Sequence, residues 1–118
     1  MKLVLSFPIV LLSVCILAGC DLSQPAILGH RPGSGPIARI AALKASPAPQ
    51  TIEGTMIDKC PVAGCWFHVK DATGVIKVDT KNAGFVVAQV PINAHVVVTG
   101  IVKPDDDSTL AASGMTYR

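Results

Sequence analysis

The sequence predicts an all-β fold, a small five-stranded barrel preceded by an apolar leader and a proline-rich segment. Three observations carry that prediction. From Thr51 onward, apolar and polar residues alternate in short runs with the period of two that half-buried strands require. Turn-forming residues punctuate these runs at regular spacing, and no stretch of residues 51–118 sustains a helical period. Short strands in one small sheet leave open edges, and closure into a barrel removes them.

The chain opens with Met1-Lys2, an apolar run from Leu3 to Ile16, then Leu17-Ala18-Gly19-Cys20. A basic start, an apolar stretch and small residues before a cut site describe an export signal. The run is short for a membrane span, Pro8 interrupts it, and no second basic flank follows. Leu-Ala-Gly-Cys resembles the bacterial lipobox. That resemblance implies cleavage after Gly19 and a Cys20 carrying diacylglycerol and an acyl group such as palmitate. One chain holds a protein only marginally and reversibly at a bilayer, so multiple acylation makes the attachment lasting. Asp21 resembles the inner-membrane retention signal of diderm lipoproteins. The expected location is the extracytoplasmic face of the cell membrane, on the periplasmic side where the envelope is diderm. Cleavage would discard Cys15 and Lys2 and leave 99 residues with a side-chain charge of +1.

Residues 20–50 hold five prolines (Pro25, Pro32, Pro36, Pro47 and Pro49) together with Gly29, Gly33 and Gly35. That composition denies a continuous helix or a central strand and predicts a flexible tether. Such a chain averages roughly 30 Å end to end and reaches about 100 Å when drawn out. Within it, Pro36 to Lys44 aligns Ile37, Ile40 and Leu43 on one stripe and predicts a short helical turn.

Residues 51–118 form the predicted domain, with strands near 51–58, 65–70, 74–80, 94–103 and 109–117. Asp71-Ala72-Thr73-Gly74 reads as a hairpin loop, and Pro104-Asp105-Asp106-Asp107-Ser108 reads as a solvated polar turn. The aspartates lack the spacing and the bidentate glutamate of a calcium loop. Lys81 to Asn93 links the third and fourth strands through Phe85-Val86-Val87.

Gly54 to Cys60, Gly64-Cys65-Trp66-Phe67-His68-Val69-Lys70-Asp71, Thr73 to Asp79 and Val96-Val97-Val98-Thr99-Gly100-Ile101-Val102 together resemble an OB-type barrel. The pattern is similar to small, largely uncharacterised bacterial envelope domains, and Cys60-Pro-Val-Ala-Gly-Cys65-Trp66 is its most specific element. Such a resemblance implies a fold far better than an activity.

With Cys20 lipidated, Cys60 and Cys65 are the thiols that remain. In an exported protein their spacing across Pro61 and Gly64 favours a disulfide stapling the first hairpin. A metal site using Cys60, Cys65 and His68 is the alternative. It would need a fourth ligand from His95, Met56, Met115 or an aspartate, and Cys65 and His68 fall on opposite faces of a regular strand. Thiol redox chemistry lacks the two-residue spacing of thioredoxin-like motifs and a following helix N-terminus. The sequence holds no lipase-type serine elbow, zinc-protease helix or phosphate loop, and Glu53 is its only glutamate. A non-catalytic protein is therefore expected, with covalent lipid on Cys20 as its one prosthetic group.

The domain carries six basic and seven acidic residues, a net −1. Nucleic-acid binding needs an excess of Lys and Arg, so nucleic acid is not the expected partner despite the patch Trp66, Lys70 and Lys77 can form. Strand alternation turns Cys65, Phe67 and Val69 inward and Trp66, His68 and Lys70 outward. Trp66, His68 and Lys70 are the candidate ligand or partner contacts, and His95 is expected at a strand end. The function expected is a membrane-anchored binding module with an envelope protein as partner.

Overall fold

A computed structural model describes residues 24–118; the leader, Cys20 and Asp21 lie outside the described residues. Six strands form: β1 (Ala26–Gly29), β2 (Gln50–Lys59), β3 (Trp66–Lys70), β4 (Val75–Asp79), β5 (His95–Lys103) and β6 (Asp106–Tyr117). β2 to β6 are the five predicted strands, and they close into a barrel in the order β6-β4-β3-β2-β5-β6. β2 pairs with β5 through its first half and with β3 through its second, so one bent strand serves two neighbours. The closing pair, β4 with β6, is parallel, with Val78 opposite Leu110. All other pairings between these strands are antiparallel, which is the Greek-key closure of the OB fold, and an isolated parallel bridge joins Ile37 to Thr51.

Alternation fills the interior. Ile52 and Met56 of β2, Phe67 and Val69 of β3, Ile76 and Val78 of β4, Val96 and Val98 of β5, and Leu110 and Met115 of β6 are buried together. Burial of these side chains supplies the main favourable term in folding a barrel this small. β6 begins at Asp106, earlier than its predicted start at Thr109. The cause is local. Asp106 Oδ1 accepts the Ser108 amide and hydroxyl, and its Oδ2 accepts the Thr109 hydroxyl, which tightens the turn to Pro104 and Asp105.

The segment read as a free tether is laid over the barrel from Ala26 onward. β1 pairs antiparallel with the end of β6. Beyond it, the His30 amide donates to Ser113, Gly33 to the Thr99 hydroxyl, Ala38 to Thr51 and Ser46 to Val102. The predicted helical turn contracts to a 3-10 turn over Ile40–Ala42, which buries Ile40 in the core while Ile37 stays outside. The prolines exclude a helix or central strand. They do not exclude a four-residue edge strand and an extended wrap, which is what forms. Among the described residues no helix is long and apolar enough to cross a membrane.

Asp71 fastens this wrap. Its Oδ1 accepts the amides of Thr73 and Gly74 and the Thr73 hydroxyl, and its Oδ2 accepts the amide of Ile40. Desolvation raises the Asp71 pKa, but the hydrogen bonds from Thr73, Ile40 and Gly74 outweigh it and hold the carboxyl below its usual range. A depressed carboxyl contributes stability above its unfolded pKa, about 3.9, and that contribution is lost as pH falls through the folded value. Asp71→Ala is expected to cost about 2 kcal/mol at neutral pH, the typical scale of hydrogen bonds to a charged group. Urea unfolding should show that gap closing in acid for the two proteins, and a gap constant down to strong acid would contradict the assignment.

Candidate functional site

A bulge at Ile57 sets the chemistry of the outer surface. Met56 pairs with Val69 and Asp58 with His68, so Ile57 is the extra residue on β2. Met56 faces the core, and regular alternation would send Asp58 inward as well. The bulge flips the parity and places Asp58 outside, where its Oδ1 lies 2.6 Å from His68 Nδ1. Trp66 meets His68 edge-to-face with ring centroids 5.5 Å apart. Lys77, opposite His68 on β4, holds its ammonium 5.5 Å from the centre of the Trp66 ring. Lys77 also adds to the hydrogen bonds from Ser108 and Thr109 that lower the Asp106 pKa. The outcome is a row of acid, imidazole, indole and ammonium across β2, β3 and β4.

Of the sequence-predicted contacts, Trp66 and His68 come together and Lys70 does not join them. Lys70 shares their face but stands at the far end of β3, four residues and about 13 Å from Trp66 and two residues beyond His68, beside the hairpin loop. Lys77 takes the place beside the indole. His95 sits at the start of β5, exchanging backbone bonds with Arg118, and its Nε2 is 2.7 Å from Glu53 Oε2. Lys59 gave no signal in the sequence. Paired opposite buried Phe67, it sends its ammonium to the carbonyls of Val87, Ala88 and Val90 and so ties β2 to the loop before β5.

Cys60 and Cys65 flank the β2–β3 loop, both half-buried and unbridged. Cys60 stands opposite Trp66 through its amide, which donates to the Trp66 carbonyl at 3.0 Å. Thr80 donates to the Cys65 carbonyl and Val87 to that of Gly64, so the loop is pinned at its base. Gly64 has φ +65°, and a Cβ there would lie 2.8 Å from the Ala88 nitrogen, so glycine meets both demands. Backbone hydrogen bonding from Ala63, Val62 and Gly64, and less from Cys65, outweighs desolvation and lowers the Cys60 thiol to about 7. A turn of amides here does what a helix N-terminus does elsewhere.

The three ligands of the alternative metal site are not assembled: His68 is engaged with Asp58 on the strand face. Among the described residues no three His, Cys, Asp or Glu side chains gather where a metal ion could sit. A groove of about 360 Å³ lies apart from this chemistry, between His30, Asn82, Ile101 and Ser113.

A closed five-stranded barrel with its polar-aromatic cluster on the β3–β4 face and its longest connection between β4 and β5 is a small OB-like domain. The solved structure of the hypothetical protein ygiW from E. coli is similar to it, with a TM-score of 0.53, 20% sequence identity, and coverage of 76% of this chain and 98% of that one. At that identity the likeness speaks for the fold alone. No protein-family model matches the chain, and no curated protein does.

Proposed function

We propose that this chain is a membrane-anchored lipoprotein of the cell envelope whose OB-like barrel is a non-catalytic binding module. The lipid on Cys20 anchors it, on the extracytoplasmic side, and Asp21 keeps it at the inner membrane where the envelope is diderm. The barrel recognises an envelope protein through the outer face of β3 and β4. The observation that carries the binding reading is the Asp58–His68–Trp66–Lys77 row, which puts an indole, a lysine ammonium and an imidazole held by a carboxylate on the outer face of the sheet. An aromatic anchor beside fixed polar groups is the composition of recognition surfaces.

The wrapped N-terminal segment shortens the leash. With β1 held on β6, only the residues from Cys20 to Ala26 bridge lipid and barrel, about 20 Å at full extension. The barrel would thus work close to the bilayer, where a partner embedded in or lying on the membrane is within reach.

Cys20→Ala in the full chain is expected to abolish lipid labelling and move the protein from the membrane to the soluble fraction; persistence of either overturns the anchor. Photo-crosslinkers placed at His68 and at Glu53 then test the face. A discrete adduct from His68 and none from Glu53 supports the reading, while equal adducts from both, or none from His68, overturn it.

A further inference from the structure

Strand direction sorts the connections of the barrel into two ends. β6 runs parallel to β4, while β1 and β5 run antiparallel to β6. β3 is antiparallel to both β2 and β4. The start of β1 therefore shares one end with the β2–β3 loop and the β4–β5 connection. The opposite end carries the hairpin loop at 71–74 and the turn at Pro104 and Asp105.

The two ends show different chemistry to solvent. Residues 60–65 and 82–94, which make up most of the two connections at the β1 end, contain no charged residue. Half of the exposed large apolar side chains among the described residues stand at this end: Ile57, Val62, Val86 and Ile92. Their segments are fastened to one another. Val87 donates its amide to Gly64 and Asn93 to Met56, each at 2.8 Å, and the Lys59 ammonium reaches the carbonyls of Val87, Ala88 and Val90. Val62, at the loop tip, is 92% exposed. Asn93 has φ +75°, so the chain reverses just past Ile92 and leaves that side chain in solvent. Apolar residues scattered singly need no explanation, but several on adjoining uncharged loops mark a docking surface. At the far end Asp105, Asp106 and Asp107 are exposed in succession.

We propose that the apolar end of the barrel docks on the lipid bilayer itself, with Val62 and Ile92 reaching the acyl boundary. Docking of this kind rests on the lipid at Cys20 and adds an orientation to the anchored reading. Lipid is the occupant because of where the chain leaves the barrel. β1 is seated on β6, and the residues leading back to Cys20 depart from this same end. A leash of about 20 Å at full extension keeps that end toward the membrane. Anchoring also makes the contact intramolecular, so a patch too small to hold a free protein at a bilayer is sufficient. Charge points the same way. Lys81 and Arg118 follow the ends of β4 and β6 beside the uncharged loops, both exposed, and suit anionic headgroups. The run of aspartates is held away from a negative surface. The Trp66 face lies on the barrel wall and stays open to a protein partner.

The lipidated protein is reconstituted in vesicles of phosphatidylethanolamine and phosphatidylglycerol doped with a diazirine-bearing phospholipid, floated, photolysed and mapped by peptide mass spectrometry. Lipid adducts should concentrate in residues 60–65 and 86–93, with none in 71–74 or 103–108. The double variant Val62→Asp, Ile92→Asp should still float, and its loop adducts should fall roughly tenfold, since a carboxylate resists entry into apolar surroundings. Both side chains are exposed, so its Tm should match that of the parent. Floated protein with no adducts in the two loops, or with as many in 103–108, overturns the docking and leaves the anchor standing. Protein that fails to float overturns both. A dimer of Cys20→Ala in sedimentation that Val62→Asp dissociates gives the patch to a second copy, and that also overturns the docking.

Discussion

Phe67→Ala is expected to destabilise the barrel by about 3–5 kcal/mol, the scale for removing a fully enclosed aromatic ring. Phe67 is the largest fully buried side chain among the described residues, and it stands mid-barrel on β3 between β2 and β4. Small domains are stable by only about 5–15 kcal/mol, so this one change removes a large share of the margin. Thermal unfolding should show a fall in Tm of roughly 15–30 °C, since each kcal/mol moves a domain of this size by several degrees. Trp66→Ala, one position earlier, supplies the contrast. Its ring lies on the outer face, and its loss should cost less than about 1.5 kcal/mol. Near-equal losses for the two variants would refute the assignment of faces on β3.

That contrast also measures how far the fold could be read in the sequence. Alternation placed Phe67 and Val69 inside and Trp66 and His68 outside, because a pleated strand admits only two faces. It misplaced what a single extra residue controls. The bulge at Ile57 brings Asp58 out to His68 and turns Lys59 toward Phe67's side, and no residue type in Met56-Ile57-Asp58 announces a bulge. Alternation within one strand points to Lys70 as the neighbour of Trp66 and His68, whereas the ammonium beside the indole comes from Lys77 across the sheet.

The wrap and the thiol turn were hidden for related reasons. Gly33 meets Thr99 across 66 positions and Ile40 meets Asp71 across 31, so composition alone shows a proline-rich tether and not its fastenings. Around Cys60 the groups that matter are backbone amides, which every residue except proline carries. Only the turn, with Gly64 at φ +65°, orients them together. What the sequence did show was the pair of cysteines.

Gly114→Ala is expected to strip the N-terminal segment from the barrel. Gly114 faces Gly29 of β1 on one side and Thr99 of β5 on the other. A Cβ on Gly114 would overlap the His30 carbonyl oxygen, at 1.7 Å, and the other near atoms are also His30 backbone. Backbone cannot turn aside as a flexible side chain can, so β1 must shift or leave β6. Overpacking of this kind costs about 1–3 kcal/mol. Amide hydrogen exchange should show lost protection at Ile27 to His30, while the β5–β6 amides keep theirs. Gly35→Ala is the control, because nothing lies within 4 Å of the added methyl, and it should leave exchange unchanged. Retained protection at Ile27 to His30 in Gly114→Ala would show that β1 is not seated as described. The consequence reaches the proposed anchor. With β1 released, the span from Cys20 to the next fastening at Gly33 grows to about 45 Å. On the proposed anchor, the same substitution would therefore put the barrel on a long tether, without touching Cys20 or the Trp66 face.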